Sequence, residues 1–449
     1  MSIFQSSILS KASTFGDAVA LLDRASGTAV RYSELEDFLH ARLQGVSWQK
    51  DRPFATWATP DFHHASLLLG LLWQDCVLAP ISHRLPEDEA LRRAEWLGAG
   101  GCWTAKKIHP LMPQGHPVLA RSAGTLLLTS GSTGTPRAVW HDLEAHLANA
   151  TGAAERIPLR PGCGWILSLP LNHVSGFSIL IRCLTAGATV VFPDHSVALE
   201  NQIDDSAVTH VSLVAVQLRR LLAKHSALAH LQAVLVGGGP IDLTLANQAI
   251  TAGVPLHLTY GMTETASQIA TSVRLRSIVS DVSAGNVLPG REVRISPEGE
   301  IQVRGGVLPR GILTARGLQP VVDADGWFST GDAGRFDSYR NLVISGRLSR
   351  MFISGGENIC PESIETLLVS LPQVRRAVVV GVDDLEYGTR PVAFIAGDAD
   401  DETLRVFLGA HMERFAVPEL FLPWPADVPE DEAKVNFELF NSLAQRVRL

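Results

Sequence analysis

The sequence predicts an α/β protein with a large N-terminal domain of sheets and helices and a small C-terminal α+β lid. Apolar runs of strand length alternate with amphipathic stretches of helix length along most of the chain. At 449 residues, with 46% hydrophobic side chains, the chain exceeds one ordinary core and divides into two or three packed units. Near Gly346-Arg347-Leu348-Ser349-Arg350 a β-rich pattern gives way to a smaller one, which sets domains of 1–346 and 347–449 with a hinge near Ser349.

The most apolar run, residues 67–73, is soon interrupted by Gln74 and Asp75 and is far too short to span a bilayer. Leu127 and Leu128 close a strand that ends in small hydroxylated residues. Residues 217–231 mix Leu218, Leu221, Leu222 and Leu228 with Arg219, Arg220 and Lys224, the pattern of an amphipathic helix. Ala233-Val234-Leu235-Val236 then runs as a buried strand into Gly237-Gly238-Gly239-Pro240, a strand end of the kind where ligands sit in α/β proteins. In the small domain the pattern gives a helix over 362–371, strands over 377–382 and 392–396, and a helix over 402–415. No internal repeat or low-complexity segment stands out.

A net charge of −8 without a long Lys/Arg block argues against a nucleic-acid partner. Met1-Ser2-Ile3-Phe4-Gln5 has no basic segment ahead of an apolar one, so no secretory signal is expected and the cytoplasm is the expected location. The five cysteines, Cys76, Cys102, Cys163, Cys183 and Cys360, are odd in number and widely spaced, and read as reduced thiols. Oligomeric state has no signature in the sequence.

The run Thr129-Ser130-Gly131-Ser132-Thr133-Gly134-Thr135-Pro136-Arg137 has the composition of a phosphate-gripping loop. Glycines let the backbone approach an anion, Ser and Thr donate hydroxyls, and Arg137 supplies a forked cation. Its spacing is not G-x-x-x-x-G-K-[ST], which excludes the P-loop of nucleoside triphosphatases, and its short length before Pro-Arg separates it from a Ser/Gly linker. Tyr260-Gly261-Met262-Thr263-Glu264 offers a ring for a purine face, a hydroxyl for a phosphate and a carboxylate for Mg²⁺. In isolation the same residues read equally as a core tyrosine and a helix-start charge. Ser329-Thr330-Gly331-Asp332 sets a carboxylate after a tight turn, suited to ribose hydroxyls or to the turn itself. Arg347 suits a ribose and phosphate contact or a surface ion pair, and Lys434, close to Glu430, Asp431 and Glu432, reads alone as a solvated charge.

In order and spacing, these segments together with Gly237 to Pro240, Gly299-Glu300, Gly346-Arg347 and Gly355-Gly356-Glu357-Asn358 resemble the motif series of the adenylate-forming superfamily. That superfamily comprises acyl- and aryl-CoA ligases, luciferases and the adenylation domains of peptide synthetases, and the resemblance spans nearly the whole chain. It implies the adenylate-forming enzyme fold with a mobile lid, and an acid–thiol ligase using ATP, Mg²⁺ and coenzyme A. Carried over by motif, Thr129, Ser130, Gly131, Ser132, Thr133, Gly134 and Arg137 hold the ATP phosphates. Gly238, Gly239, Pro240, Tyr260 and Gly261 frame adenine, Thr263 donates to a phosphate, and Glu264 binds Mg²⁺. Asp332 and Arg347 hold the ribose. Lys434 enters from the small domain to stabilise the adenylation transition state, and rotation about Ser349 then presents Gly355 and Gly356 to the thiol. Arg137-Ala138 stands where the superfamily usually has Lys-Gly, Ser349 where Asp or Lys is usual, and Ala433 where Gly is common.

Leu169-Pro170-Leu171-Asn172-His173-Val174-Ser175-Gly176 resembles the acyl-pocket motif of CoA ligases, with Asn172 where an aromatic is more usual. The resemblance implies that His173, Ser175, Gly176 and Ser267 border the substrate, with His173 also catalytic at the thiol tunnel. His173 alone reads equally as a structural imidazole. Arg182 lies in the apolar stretch Ile179-Leu180-Ile181-Arg182-Cys183-Leu184, where a cation is costly without an anion. A substrate carboxylate and a nearby Asp would both satisfy it. With the short chain, Ser212-Leu213-Val214 and residues 288–293 and 352–358, the pattern is most similar to the o-succinylbenzoate-CoA ligase family of menaquinone and phylloquinone synthesis. Its substrate carries a second carboxylate that Arg182 would recognise directly or through water. Another aryl- or acyl-CoA ligase, a carrier-loading adenylation enzyme and a non-catalytic nucleotide-binding module share parts of the pattern. The joint presence of Glu264, Asp332, Arg347 and Lys434 speaks against the last.

Overall fold

The computed structural model describes residues 7, 14–49, 51–57, 59, 61–104, 107–111, 123–129, 137–224, 228–354, 357–384, 388–430 and 435–448. Among them the largest sheet has nine strands. Its centre is parallel and runs, side by side, through Leu256–Met262, Ala233–Val236, His210–Leu213, Gly164–Ile166, Thr189–Phe192 and Val19–Asp23. Antiparallel strands extend both edges, Ser267–Thr271 and Asn286–Val287 on one side and Ala29–Arg31 on the other. A second, eight-stranded sheet pairs Gly124–Thr129 with Arg137–Asp142 in antiparallel register and with Val77–Ile81 in parallel. A four-stranded antiparallel sheet ends in Phe328–Phe336 and Leu342–Arg347.

One apolar cluster ties the two large sheets together through helices Phe62–Trp73, Leu143–Ala154 and Val174–Ala186. Phe62–Trp73 contains the run 67–73 and is buried along almost its whole length, as expected of a helix apolar on all sides. Asp61 caps its start by accepting from the His64 amide at 2.8 Å.

The four-stranded sheet ends at Arg347, and a 3₁₀ turn, Leu348–Arg350, leads to a separate core. There Val374–Asp384 and Gly388–Gly397 pair antiparallel, and Leu420–Pro423 adds in parallel. Alternation along Val374–Asp384 sends Ala377 and Val379 to one face, beside Ile364, Leu368, Leu404 and Leu408, and Val378, Val380 and Val382 to the other, beside Phe440 and Ala444. This is a small α+β unit with helices on both faces of its sheet. No helix among the described residues is long and apolar enough to cross a membrane.

Two expected helices are shorter than their periodicity predicts. The stretch 217–231 folds as Ala215–Ala223, and Leu228 and Leu231 reach the same core from a turn instead. The stretch 402–415 ends at His411, because Met412 is extended at φ −148° and ψ 164°, and Arg414–Ala416 forms a 3₁₀ turn. Met412 and Phe415 still pack on the core, so burial kept the apolar spacing while the backbone left the helix. The strand Ala233–Val236 has the expected bounds.

Candidate active site

The parallel strands of the nine-stranded sheet deliver the candidate residues at their carboxyl ends, where open α/β sheets bind ligands. Gly237 to Pro240 follow Ala233–Val236, and Tyr260, Gly261 and Met262 close the neighbouring Leu256–Met262. The segment from Leu167 to His173 follows Gly164–Ile166. Gly261 faces the returning strand so closely that a Cβ there would lie 1.8 Å from the Ser267 carbonyl oxygen, so the position admits only glycine.

Tyr260, Asp332 and Arg347 form one contiguous group. The Tyr260 hydroxyl donates to Asp332 Oδ2 at 2.6 Å, and Arg347 Nε lies 2.9 Å from Asp332 Oδ1. Asp332 and Arg347 face each other in register across adjacent strands, and Arg347 Nη1 also donates to the Thr330 carbonyl at 2.9 Å. The preceding turn is braced where the Gly331 amide donates to Glu300 Oε1 at 2.8 Å. Burial raises the Asp332 carboxyl above its ordinary range, and the Tyr260 hydroxyl and Arg347 pull it partway back. Tyr260 stays a phenol, held there first by burial and then by the Asp332 charge.

Glu264 sits in the 3₁₀ turn Thr263–Thr265 rather than at the start of a helix. It is half-buried, and burial raises its carboxyl; Arg347 and Arg137 oppose that shift and Asp332 adds to it. The structure therefore brings Arg137, Glu264, Asp332 and Arg347 into one electrostatic neighbourhood. The Glu264 carboxylate accepts a hydrogen bond from its own backbone and forms no ion pair among the described residues, so its oxygens stay available to a hard cation. Thr129 and Arg137 face each other as the last and first residues of a hairpin, so the phosphate loop is its connection. Ser130, Gly131, Ser132, Thr133 and Gly134 of that loop lie outside the described residues, as do Gly355, Gly356 and Lys434.

On the acyl side, His173 precedes helix Val174–Ala186, its pKa lowered by burial and then by Arg84. Gly176 lets the first turn of this helix lie against the Leu169-Pro170 backbone, since a Cβ would fall 2.2 Å from the Pro170 oxygen. Ser175 accepts at its carbonyl from the Ser178 hydroxyl at 2.9 Å. Arg182, on the same helix, is 2% exposed. Its Nη2 donates to Gln268 Oε1 at 2.5 Å and its guanidinium carbon lies 4.6 Å from the Trp165 ring centre. Its Nε has no partner, and no carboxylate pairs with it among the described residues. Burial lowers its pKa to about 10, which leaves it charged at neutral pH. Of the two partners open to it, the structural Asp is thus missing. Ser267 lies one residue before Gln268 with φ +115°, after Ala266 at φ +50°.

Gln268, Trp165, His141 and Asn149 were not singled out by the sequence reading. Their importance arises from contacts across 86 residues for Arg182 with Gln268 and across 122 for His141 with Thr263, which no local pattern signals.

The candidate residues thus gather at the carboxyl-end mouth of an α/β sheet. The AMP-binding enzyme family matches residues 93–319, and the AMP-binding enzyme C-terminal domain matches residues 363–431. The chain belongs to this family, and its fold is that of the adenylate-forming enzymes. The 2-succinylbenzoate–CoA ligase of Salmonella typhimurium is 40% identical over 314 residues, covering 70% of this chain and 67% of that relative. The structure of Escherichia coli MenE with a bound phenylether-linked analogue of OSB-AMS aligns over 98% of this chain and 99% of its own, with a TM-score of 0.79 and 28% identity. The structure of Bacillus subtilis MenE in complex with ATP and magnesium ion aligns over 93% and 95%, with a TM-score of 0.78 and 25% identity.

Proposed function

We propose that this chain is an ATP-dependent 2-succinylbenzoate–CoA ligase, which activates o-succinylbenzoate as its acyl-adenylate and then transfers it to coenzyme A. One observation carries the substrate assignment: Arg182 is buried and charged, with an unpartnered Nε and no carboxylate beside it among the described residues. A buried guanidinium without an anion is costly, and the second carboxylate of this substrate supplies one. The relatives named for this activity support the same reading.

In the first half-reaction a carboxylate oxygen of the substrate attacks the α-phosphorus of ATP, and the bond to pyrophosphate breaks. Tyr260 and Gly237 to Pro240 frame the base, and Asp332 with Arg347 holds the ribose. Glu264 would hold Mg²⁺, which when bound neutralises charge on the phosphates; Arg137 and Lys434 add cations from the protein. The task is positioning and electrostatics, which is why no protein nucleophile is required. In the second half-reaction the thiol sulfur attacks the acyl carbon and AMP leaves with the bonding electrons. His173 borders that thiol path, Gly176 borders the acyl substrate, and the small domain, hinged near Ser349, presents Gly355 and Gly356 to the thiol. The unit beyond Ser349 serves both steps as a lid. The cysteines, all unpaired, and substrates such as ATP and coenzyme A fit a reducing cytoplasm.

The test is pyrophosphate release and thioester formation by the purified enzyme with o-succinylbenzoate, benzoate and a fatty acid, each with ATP, Mg²⁺ and coenzyme A. Turnover of o-succinylbenzoate well above the others is expected. Equal turnover of benzoate would reassign the enzyme as a general aryl-CoA ligase.

A further inference from the structure

We propose that His141 and Asn149 are positioning residues that grip the two carbonyls flanking Glu264 and so aim its carboxylate. The proposal rests on the reading of Glu264 as the holder of Mg²⁺. His141 Nε2 lies 2.7 Å from the Thr263 carbonyl oxygen, and Asn149 Nδ2 donates to the Thr265 carbonyl at 3.1 Å. The same amide also donates to the Gln268 carbonyl at 2.9 Å.

The turn needs such support. A single 3₁₀ turn has poor internal hydrogen bonding, and Thr263–Thr265 is followed by two non-glycine residues at positive φ, Ala266 at +50° and Ser267 at +115°. Residues held in sparsely populated backbone regions persist only where their surroundings over-determine them. Here those surroundings are identifiable. A carbonyl only accepts, so His141 Nε2 must carry the proton and the ring must be the Nε2–H tautomer. The ring is fully buried, and burial lowers its pKa to about 4, so it is neutral at physiological pH. The Asn149 amide is oriented by two acceptors, while its oxygen has no partner. Side-chain donors thus hold the carbonyl on each side of Glu264.

The grip also has a direction. His141 lies on the strand Arg137–Asp142, which leaves the phosphate loop, and Asn149 lies on helix Leu143–Ala154, which follows that strand directly. His146 of the same helix packs its ring 5.3 Å from that of His141. One strand–helix unit therefore leads out of the phosphate-binding loop and holds the turn of the metal-binding carboxylate, so the two ends of a bound triphosphate are referred to the same rigid body.

The test titrates Mn²⁺, as a spectroscopic substitute for Mg²⁺, into the full-length protein with a non-hydrolysable ATP analogue, read by electron paramagnetic resonance. His141→Phe keeps the ring and loses the donor; Asn149→Ser loses the forked amide in a smaller side chain. Each is expected to weaken Mn²⁺ about tenfold, the usual effect of removing a group that orients a metal ligand. His141→Gln, which can donate to the same carbonyl, should recover most of that loss. Glu264→Gln is the reference: unchanged Mn²⁺ affinity there would remove the metal reading itself. A loss in Glu264→Gln alongside wild-type affinity in both His141→Phe and Asn149→Ser would overturn the positioning role alone. So would equal weakening by His141→Gln and His141→Phe.

Discussion

Arg182 keeps a full charge at a depth where only a matching anion makes that charge cheap. Arg182→Ala should lower kcat/KM for o-succinylbenzoate by about 1.5 to 3 kcal/mol, the value of one charge-assisted hydrogen bond. A monocarboxylate analogue should lose much less, so parallel assays of both substrates decide the matter, and equal losses would point to a folding defect. Asp332 is tied to both Tyr260 and Arg347, so Asp332→Asn removes the charge of the trio and replaces one of its two acceptor oxygens by a donor. AMP affinity measured by calorimetry should fall by about 1.5 to 3 kcal/mol in Asp332→Asn, and by only about 1 kcal/mol in Tyr260→Phe, which removes one neutral donor. The two roles differed in how far the sequence disclosed them. Asp332 was visible because a carboxylate after a tight turn stood in a motif series. Its tyrosine partner was assigned to adenine alone, because the 72 residues between them hide the contact.

The helix Val174–Ala186 carries His173 before its start and Arg182 two turns further on, so its seating sets the spacing of the proposed acyl pocket. Gly176→Ala would place a methyl 2.2 Å from the Pro170 oxygen, inside any permissible contact. The helix must shift, at a cost of about 1 to 3 kcal/mol typical of overpacking. Thermal melting should show the loss, and KM for the acid should rise with it while AMP affinity holds. Strands with uniform apolar runs, such as Ala233–Val236, were legible residue by residue, since little but a buried strand fits four such residues before three glycines. Helix ends were less so. In 402–415 the apolar spacing continues past His411 because Met412 and Phe415 also pack inward, and periodicity records burial rather than backbone conformation.

The whole molecule buries several neutral imidazoles, and their proton balance makes a prediction about acid stability. Burial lowers His64, His141 and His210 each to about 4, whereas an unfolded histidine titrates near about 6.5. Between these values the unfolded chain binds protons that the folded chain refuses, so stability is full above pH of about 6.5 and is lost as pH falls toward about 4. The raised carboxyls of Glu264 and Asp332 work in the opposite sense, but act at fewer sites. The melting temperature should be flat above neutrality and fall steadily between pH of about 6.5 and 4; a flat curve there would contradict the buried neutral state. The proposed function distributes catalysis over both parts of the chain as well. Lys434→Ala should cripple pyrophosphate release yet leave transfer from a supplied acyl-adenylate to coenzyme A largely intact, and normal release would remove Lys434 from the first step.

Arg347 grips Asp332 on one side of the 3₁₀ turn, and Arg350 on the other is held by Glu362 at 2.9 Å and Glu365 at 2.6 Å, with its guanidinium 3.9 Å from the Phe437 ring centre. A swivel mounted between two clamps has little slack. In the proposed two-step reaction, turning of the small domain would be absorbed by the few torsions of Leu348 and Ser349, so its travel would be an arc about a nearly fixed pivot rather than a diffusive search, and whatever the lid carries would return to the same place on each cycle.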